Sequence, residues 1–198
     1  MAAILTTGAW GGETAQAAAK NLARNPSFEL DANKDGAPDE WAPIQLCTPY
    51  RTTKCSLDTN VAHAGQRSAM IAQGHLYLII TGTKGWLQRG VVQKGGGRTF
   101  RVSVYVRAGK PKKNNAYVKS VFPTRVRLYL FGDDPKRGLD YTGAASPIFD
   151  IGPEWQKITH TVTFARAITS VSLILAREAQ REGGDVWFDS VEVVEVKK

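Results

Sequence analysis

A two-residue hydrophobic period restricts this chain more than any other feature. It runs through residues 101–107 (RVSVYVR), 125–130 (RVRLYL) and 171–175 (VSLIL). Successive side chains of a strand point to opposite faces, so such a period buries one face of a sheet and wets the other. Turn-forming clusters separate these runs, among them GKPKKNN, GDDPKRG and REGG, and no long apolar pattern of helical period intervenes. The pattern predicts an all-β chain, a jelly-roll β-sandwich of two antiparallel sheets over residues 21–198. Residues 1–20, rich in Ala, Gly and Thr, read as an extended N-terminal arm that either docks on a neighbour or forms a loose tail.

With 198 residues, 42% hydrophobic and 22% charged, the chain is long enough for one sandwich with a substantial core. A net charge of +8 favours acidic partners. The charge is dispersed, however, and its densest cluster, Lys110, Lys112 and Lys113, surrounds Pro111 as a solvated loop would. No helix, zinc motif or aromatic-interleaved basic patch accompanies it, so nucleic acid is not an expected partner. No segment approaches a membrane span, and the N-terminus lacks the basic region of a secretory signal. Either a signal has been removed or the protein leaves the cell by lysis, as a virion component does. Cys47 and Cys55 read as a local disulfide or as an inert thiol pair.

Catalytic patterns are weak. His63, His75 and His160 lack metal-ligand spacing, and the Gly95-Gly96-Gly97 run has no P-loop lysine or following helix. The expectation is a non-enzyme. Residues 31–39 carry more chemistry: Asp31, Asn33 and Asp35 alternate with Ala32 and Lys34, Gly36 follows, and Asp39 adds a carboxylate. These oxygens form the first half of a calcium cage, but Ala42 stands where an EF-hand needs its bidentate glutamate. A plain polar turn is the alternative.

Residues 25–29 (NPSFE), the DG-P-D loop, Trp41, and residues 183–190 (GGDVWFDS) together resemble the carbohydrate-binding module 4/9-like, galactose-binding-like jelly-roll domains, of the kind also found in phage minor tail proteins. Residues 62–71 (AHAGQRSAMI), 99–107 (TFRVSVYVR) and 154–164 (EWQKITHTVTF) extend that resemblance over residues 21–196. It implies a sandwich without catalysis and a structural calcium where first and last strands meet, with Glu29 and Asp189 at the family's acidic positions. Ser190 replaces the second of its paired acidic residues. Trp41, Trp155 and Trp187 fall on core positions of the pattern.

For a sugar ligand, the expected stacking residues are Trp86, Tyr77, Tyr129 and Tyr141, with Gln88 and Arg127 as hydroxyl partners. The expected function is that of a structural or adhesive interaction module of a phage virion, in the tail or on the capsid surface. Its partners would be carbohydrate or other virion proteins, and its arm would mediate homo-oligomers. The alternative is a binding module of a secreted polysaccharide-degrading system. Both readings expect a virion or extracellular location.

Overall fold

A computed structural model describes residues 19–45, 54–72, 84–110, 123–134, 138–140, 145–164, 168–178 and 184–197. Most of the N-terminal arm, Tyr77, Tyr141 and Cys47 lie outside these residues, so the expectations placed on them do too. The described strands are β1 (Ala42–Gln45), β2 (Cys55–Asp58), β3 (Ser68–Ile71), β4 (Lys84–Gln93), β5 (Thr99–Ala108), β6 (Thr124–Asp134), β7 (Gly138–Asp140), β8 (Phe149–Ile151), β9 (Gln156–Thr163), β10 (Ser170–Arg177) and β11 (Val186–Val196). No helix occurs among the described residues.

The strands form two antiparallel sheets. The six-stranded sheet has the order β1-β4-β10-β6-β7, with β8 also paired to β6, and the five-stranded sheet has the order β2-β3-β11-β5-β9. The expected all-β sandwich is therefore the observed fold. The two-residue period decides which side chains face inward. Val102, Val104 and Val106 of β5, Val126, Leu128 and Leu130 of β6, and Val171, Leu173 and Leu175 of β10 enter one core between the sheets.

The N-terminal segment is sewn onto this sandwich. Leu22 N donates to Val193 O at 2.8 Å, Val191 N donates to Pro26 O at 2.8 Å, and the Asn21 amide bridges Val191 and Val193. Asn25 organises the loop that follows: its Nδ2 donates to Leu30 O and Asp39 O, and its Oδ1 accepts from Leu30 N. Phe28 and Trp41 enter the core with ring centroids 5.1 Å apart. These contacts give the NPSFE stretch and its tryptophan a packing role.

Trp187 is also buried, on the far side of β11, where its indole Nε1 donates to Asp58 Oδ2 at 2.7 Å. Trp155 departs from the core expectation. It sits in the turn ahead of β9, half-buried and outside the core cluster.

Candidate functional site

The residues expected to bind a ligand separate by strand parity. On β4, Trp86 and Gln88 face the interior and are completely buried, whereas Leu87 points outward. Trp86 is core, with its Nε1 donating to Met70 O at 3.3 Å. A ring without accessible surface has no face to offer a sugar, which removes Trp86 as a stacking platform. Gln88 is committed to the backbone of Arg24, accepting from its N–H at 2.9 Å and donating to its carbonyl at 2.7 Å. That pair replaces the hydroxyl contacts expected of Gln88.

Arg127 and Tyr129, in contrast, share the outer face of β6. The register places Ile174 of β10 between Leu87 and Tyr129, and Ala176 between Gly85 and Arg127. Leu87, Ile174, Ala176 and Phe131 form a second apolar cluster on this outer face, with Ile44 and Tyr129 packed at its margin. Glu178 follows β10 directly and keeps its parity. Its Oε1 accepts from the Tyr129 hydroxyl at 2.9 Å and lies 3.3 Å from Arg127 Nε. The arginine contact is an ion pair without hydrogen-bond geometry, so Arg127 Nε remains a buried donor without a hydrogen bond. Beyond it, Arg125 pairs with Asp150 at 3.6 Å in solvent.

The result is a strand-built surface: a phenol, a guanidinium and a carboxylate, each half-buried, beside a buried apolar row. Such a set can hold a sugar ring by its apolar face and bind its hydroxyls at the edge. Glu178 was absent from the sequence expectation, although parity alone places it beside Ile174 and Ala176.

The acidic residues expected to bind metal have other partners. Glu29 Oε1 accepts from Gln66 N at 2.8 Å and Arg67 N at 3.0 Å. Asp189 Oδ2 accepts from His63 N at 2.8 Å and Ala64 N at 3.0 Å, while its Oδ1 accepts from Ser190 N. Ser190 has a left-handed φ of 52°, at the irregularity where the β5–β11 register shifts. The two carboxylates thus grip residues 63–67 from both ends. Gly65, at φ 72°, is required there because a Cβ would run into the Glu29 carboxylate. Burial raises the Asp189 carboxyl above its ordinary value, and the N–H groups of Ala64, His63 and Ser190 partly offset that rise.

With Glu29 and Asp189 occupied by backbone donors, their fit to a cation is poor. The oxygens of residues 31–39 are likewise taken up by backbone donors: Asp31 Oδ1 and Asn33 Oδ1 both accept from Asp35 N, each at 3.2 Å, and Asp35 Oδ1 accepts from Ala37 N. Asp35 Oδ2 accepts from Asn33 Nδ2, and Asp39 Oδ2 from Ala32 N. Among the described residues, no group of three or more His, Cys, Asp or Glu side chains is gathered as a metal would require.

No protein-family description and no curated protein matches the chain. Solved structures share its fold. The CBM22-1 xylan-binding domain from Paenibacillus barcinonensis aligns with a TM-score of 0.60 at 16% identity, over 91% of this chain and 97% of that one. TmCBM61, solved in complex with beta-1,4-galactotriose, gives 0.53 at 15% identity, over 89% and 99%. The enzymatically active domain of tailspike protein 4 from bacteriophage CBA120 gives 0.61 at 10% identity, over 89% of this chain and 21% of that one. At these identities the likeness is one of fold, and the fold is the β-sandwich of carbohydrate-binding modules.

Proposed function

We propose that this domain is a non-catalytic carbohydrate-binding module whose ligand lies on the outer face of the six-stranded sheet. The observation that carries this reading is the Arg127–Tyr129–Glu178 group beside the Leu87–Ile174 row, on a fold matched along nearly its full length by a xylan-binding domain. A pyranose would lie on the half-buried Tyr129 ring, which the buried apolar row supports from beneath. Its hydroxyls would donate to Glu178 and accept from the accessible part of the Arg127 guanidinium. Assignment to the 4/9-like group rests on the sequence motifs alone.

Affinity electrophoresis of the full chain through gels containing arabinoxylan, β-1,4-galactan, mannan or β-glucan tests the proposal. At least one polysaccharide should retard the protein, and Arg127→Ala should weaken that interaction by about tenfold, the scale of one lost polar anchor. Migration unaffected by every polysaccharide would refute it.

The tailspike likeness favours a second reading, in which the module serves a virion as an adhesive or assembly subunit. Light scattering of the full chain and of residues 21–198 separates the two: an assembly that dissociates on truncation supports a virion subunit docked through its arm, and two monomers support a free-standing module. Calcium belongs to this proposal at residues 31–39 only, where it would take over Asp31 and Asn33 oxygens that now accept from Asp35 N.

A further inference from the structure

On the outer face of the five-stranded sheet, three rings from three separate segments meet. Tyr105 comes from β5, His63 from the braced loop and Trp155 from the turn ahead of β9. His63 and Tyr105 are stacked, with ring centroids 3.7 Å apart and 15° between planes. Trp155 meets His63 edge-on at 5.6 Å and 66°. His63 is exposed, Tyr105 and Trp155 are half-buried, and none of the three belongs to the core. Polar groups stand beside them. Lys157 lies opposite Tyr105 across the β5–β9 ladder, with Nζ 5.9 Å from the ring centroid and 3.9 Å from Glu192 Oε2. Glu192 Oε2 also accepts from the Ser103 hydroxyl at 3.0 Å.

Two features argue for a ligand. Partly wetted rings gathered at one spot leave apolar surface unburied, which a sandwich with a complete core does not need for stability. The loop carrying His63 is also fixed in advance: four of its N–H groups, those of His63, Ala64, Gln66 and Arg67, are held by Asp189 and Glu29. A site whose rings are already ordered loses little entropy when it binds.

We infer that this face is a second carbohydrate-binding site, which takes one neutral pyranose unit of a glycan on Trp155 and His63. The sugar's C–H face lies on the Trp155 ring with His63 at its side, and its hydroxyls reach the Glu192 carboxylate and the Lys157 ammonium. Glu192 and Lys157 offset each other's charge, so the site offers a uronic acid no net positive charge. The site shares no residue with the strand-built surface on the opposite sheet.

The test uses the full chain carrying Tyr129→Ala, which weakens the first site, and adds Trp155→Ala or Trp155→Phe. Each variant runs through gels containing arabinoxylan, β-1,4-galactan, mannan or polygalacturonate, and each is melted to check folding. The Tyr129→Ala protein should still be retarded by a neutral polysaccharide. Adding Trp155→Ala should weaken that retardation by about tenfold at an unchanged melting temperature. Trp155→Phe, which keeps a ring, should restore most of it, and whatever retardation polygalacturonate causes in this +8 chain should be the same with and without Trp155→Ala. If Trp155→Ala changes nothing, or if Tyr129→Ala alone abolishes all retardation, this second site is refuted while the proposed function stands. Loss that Trp155→Phe does not rescue and that comes with a lowered melting temperature assigns Trp155 a structural role and also refutes it. A wild-type chain that no polysaccharide retards overturns both.

Discussion

The two outer faces of the sandwich present their polar and aromatic groups in different ways. On the six-stranded sheet, Arg127, Tyr129 and the apolar row project from paired strands, and Glu178 follows β10 directly, so the hydrogen-bonded ladder sets their positions. On the five-stranded sheet, Tyr105 projects from a strand, but His63 and Trp155 come from loops, and His63 stays in place because Asp189 holds its own N–H and Glu29 holds those of Gln66 and Arg67 in the same loop. A strand-built surface is as rigid as its sheet, whereas a loop-built one is as rigid as its braces. The two faces should therefore fail independently.

The largest effect expected is that of Asp189→Ala. It removes a completely buried carboxylate and leaves the part-buried N–H groups of His63, Ala64 and Ser190 without their acceptor. The cost should be about 3 kcal/mol, from stranded donors that had bonded a carboxylate, measurable by urea denaturation. Trp155-dependent glycan binding should disappear in this variant while Arg127-dependent binding survives. Equal loss on both faces would show that the sheets are coupled and would break the comparison.

Calcium sharpens the same contrast. The loop at residues 31–39 touches the braced loop through Asp31 and Arg67, 3.9 Å apart, and has no comparable ion pair to the Arg127 face among the described residues. A cation present at a hundred times its dissociation constant stabilises the native state by about 2.7 kcal/mol, or roughly 5–11 °C in a chain of this size. Chelation is expected to lower Tm by that amount and to weaken binding on the five-stranded side first. An unchanged melting curve removes calcium from the account.

A smaller change is expected from Tyr129→Phe, which deletes the hydroxyl bonded to Glu178 and leaves the ring and the apolar row in place. Stability should fall by about 1 kcal/mol, the net contribution of such a bond. Glycan retention attributed to the six-stranded face should weaken severalfold, and the Trp155-dependent part should not change. Binding that depends on Trp155 alone would sharpen the comparison into a one-sided molecule.

The fold was legible in the sequence because it depends on a local signal. The alternation at residues 101–107, 125–130 and 171–175 directly sorts Val104, Leu128 and Leu173 inward and Arg127 and Tyr129 outward. Trp86 and Gln88 were misjudged because β4 (KGWLQRGVVQ) has no clean period: glycine and arginine neighbours suggest exposure, and only the pairing with β10 shows Leu87 to be the outward residue. The roles of Glu29 and Asp189 were hidden for another reason. Asp189 meets His63 across a separation of 126 residues, at a register irregularity with a left-handed Ser190. No spacing rule connects those positions, and an acidic residue at a family position resembles a metal ligand until its partners are known.

The smallest effect expected is a difference in pH dependence between the two ends of β11. At its far end, Glu195 takes a bidentate pair of bonds from Arg98, and these hold its carboxyl below the ordinary value of 4.5. A depressed carboxylate binds fewer protons in the folded state than in the unfolded one, so its stabilisation is present above 4.5 and is lost as pH falls through the lower folded value. Asp189 has the opposite sign. Its raised carboxyl binds protons more readily when folded, so its contribution is complete below the ordinary value of 3.8 and declines as pH rises through the folded value. Arg98→Gln isolates the first group, which is partly exposed and therefore screened by solvent. The stability gap between wild type and Arg98→Gln should be greatest near neutral pH and should close as the solution is acidified below 4.5. A gap constant with pH would mean that Arg98 acts through its stacking over Phe100, 5.0 Å from the ring centroid, and that the far end of β11 is held by packing instead of charge.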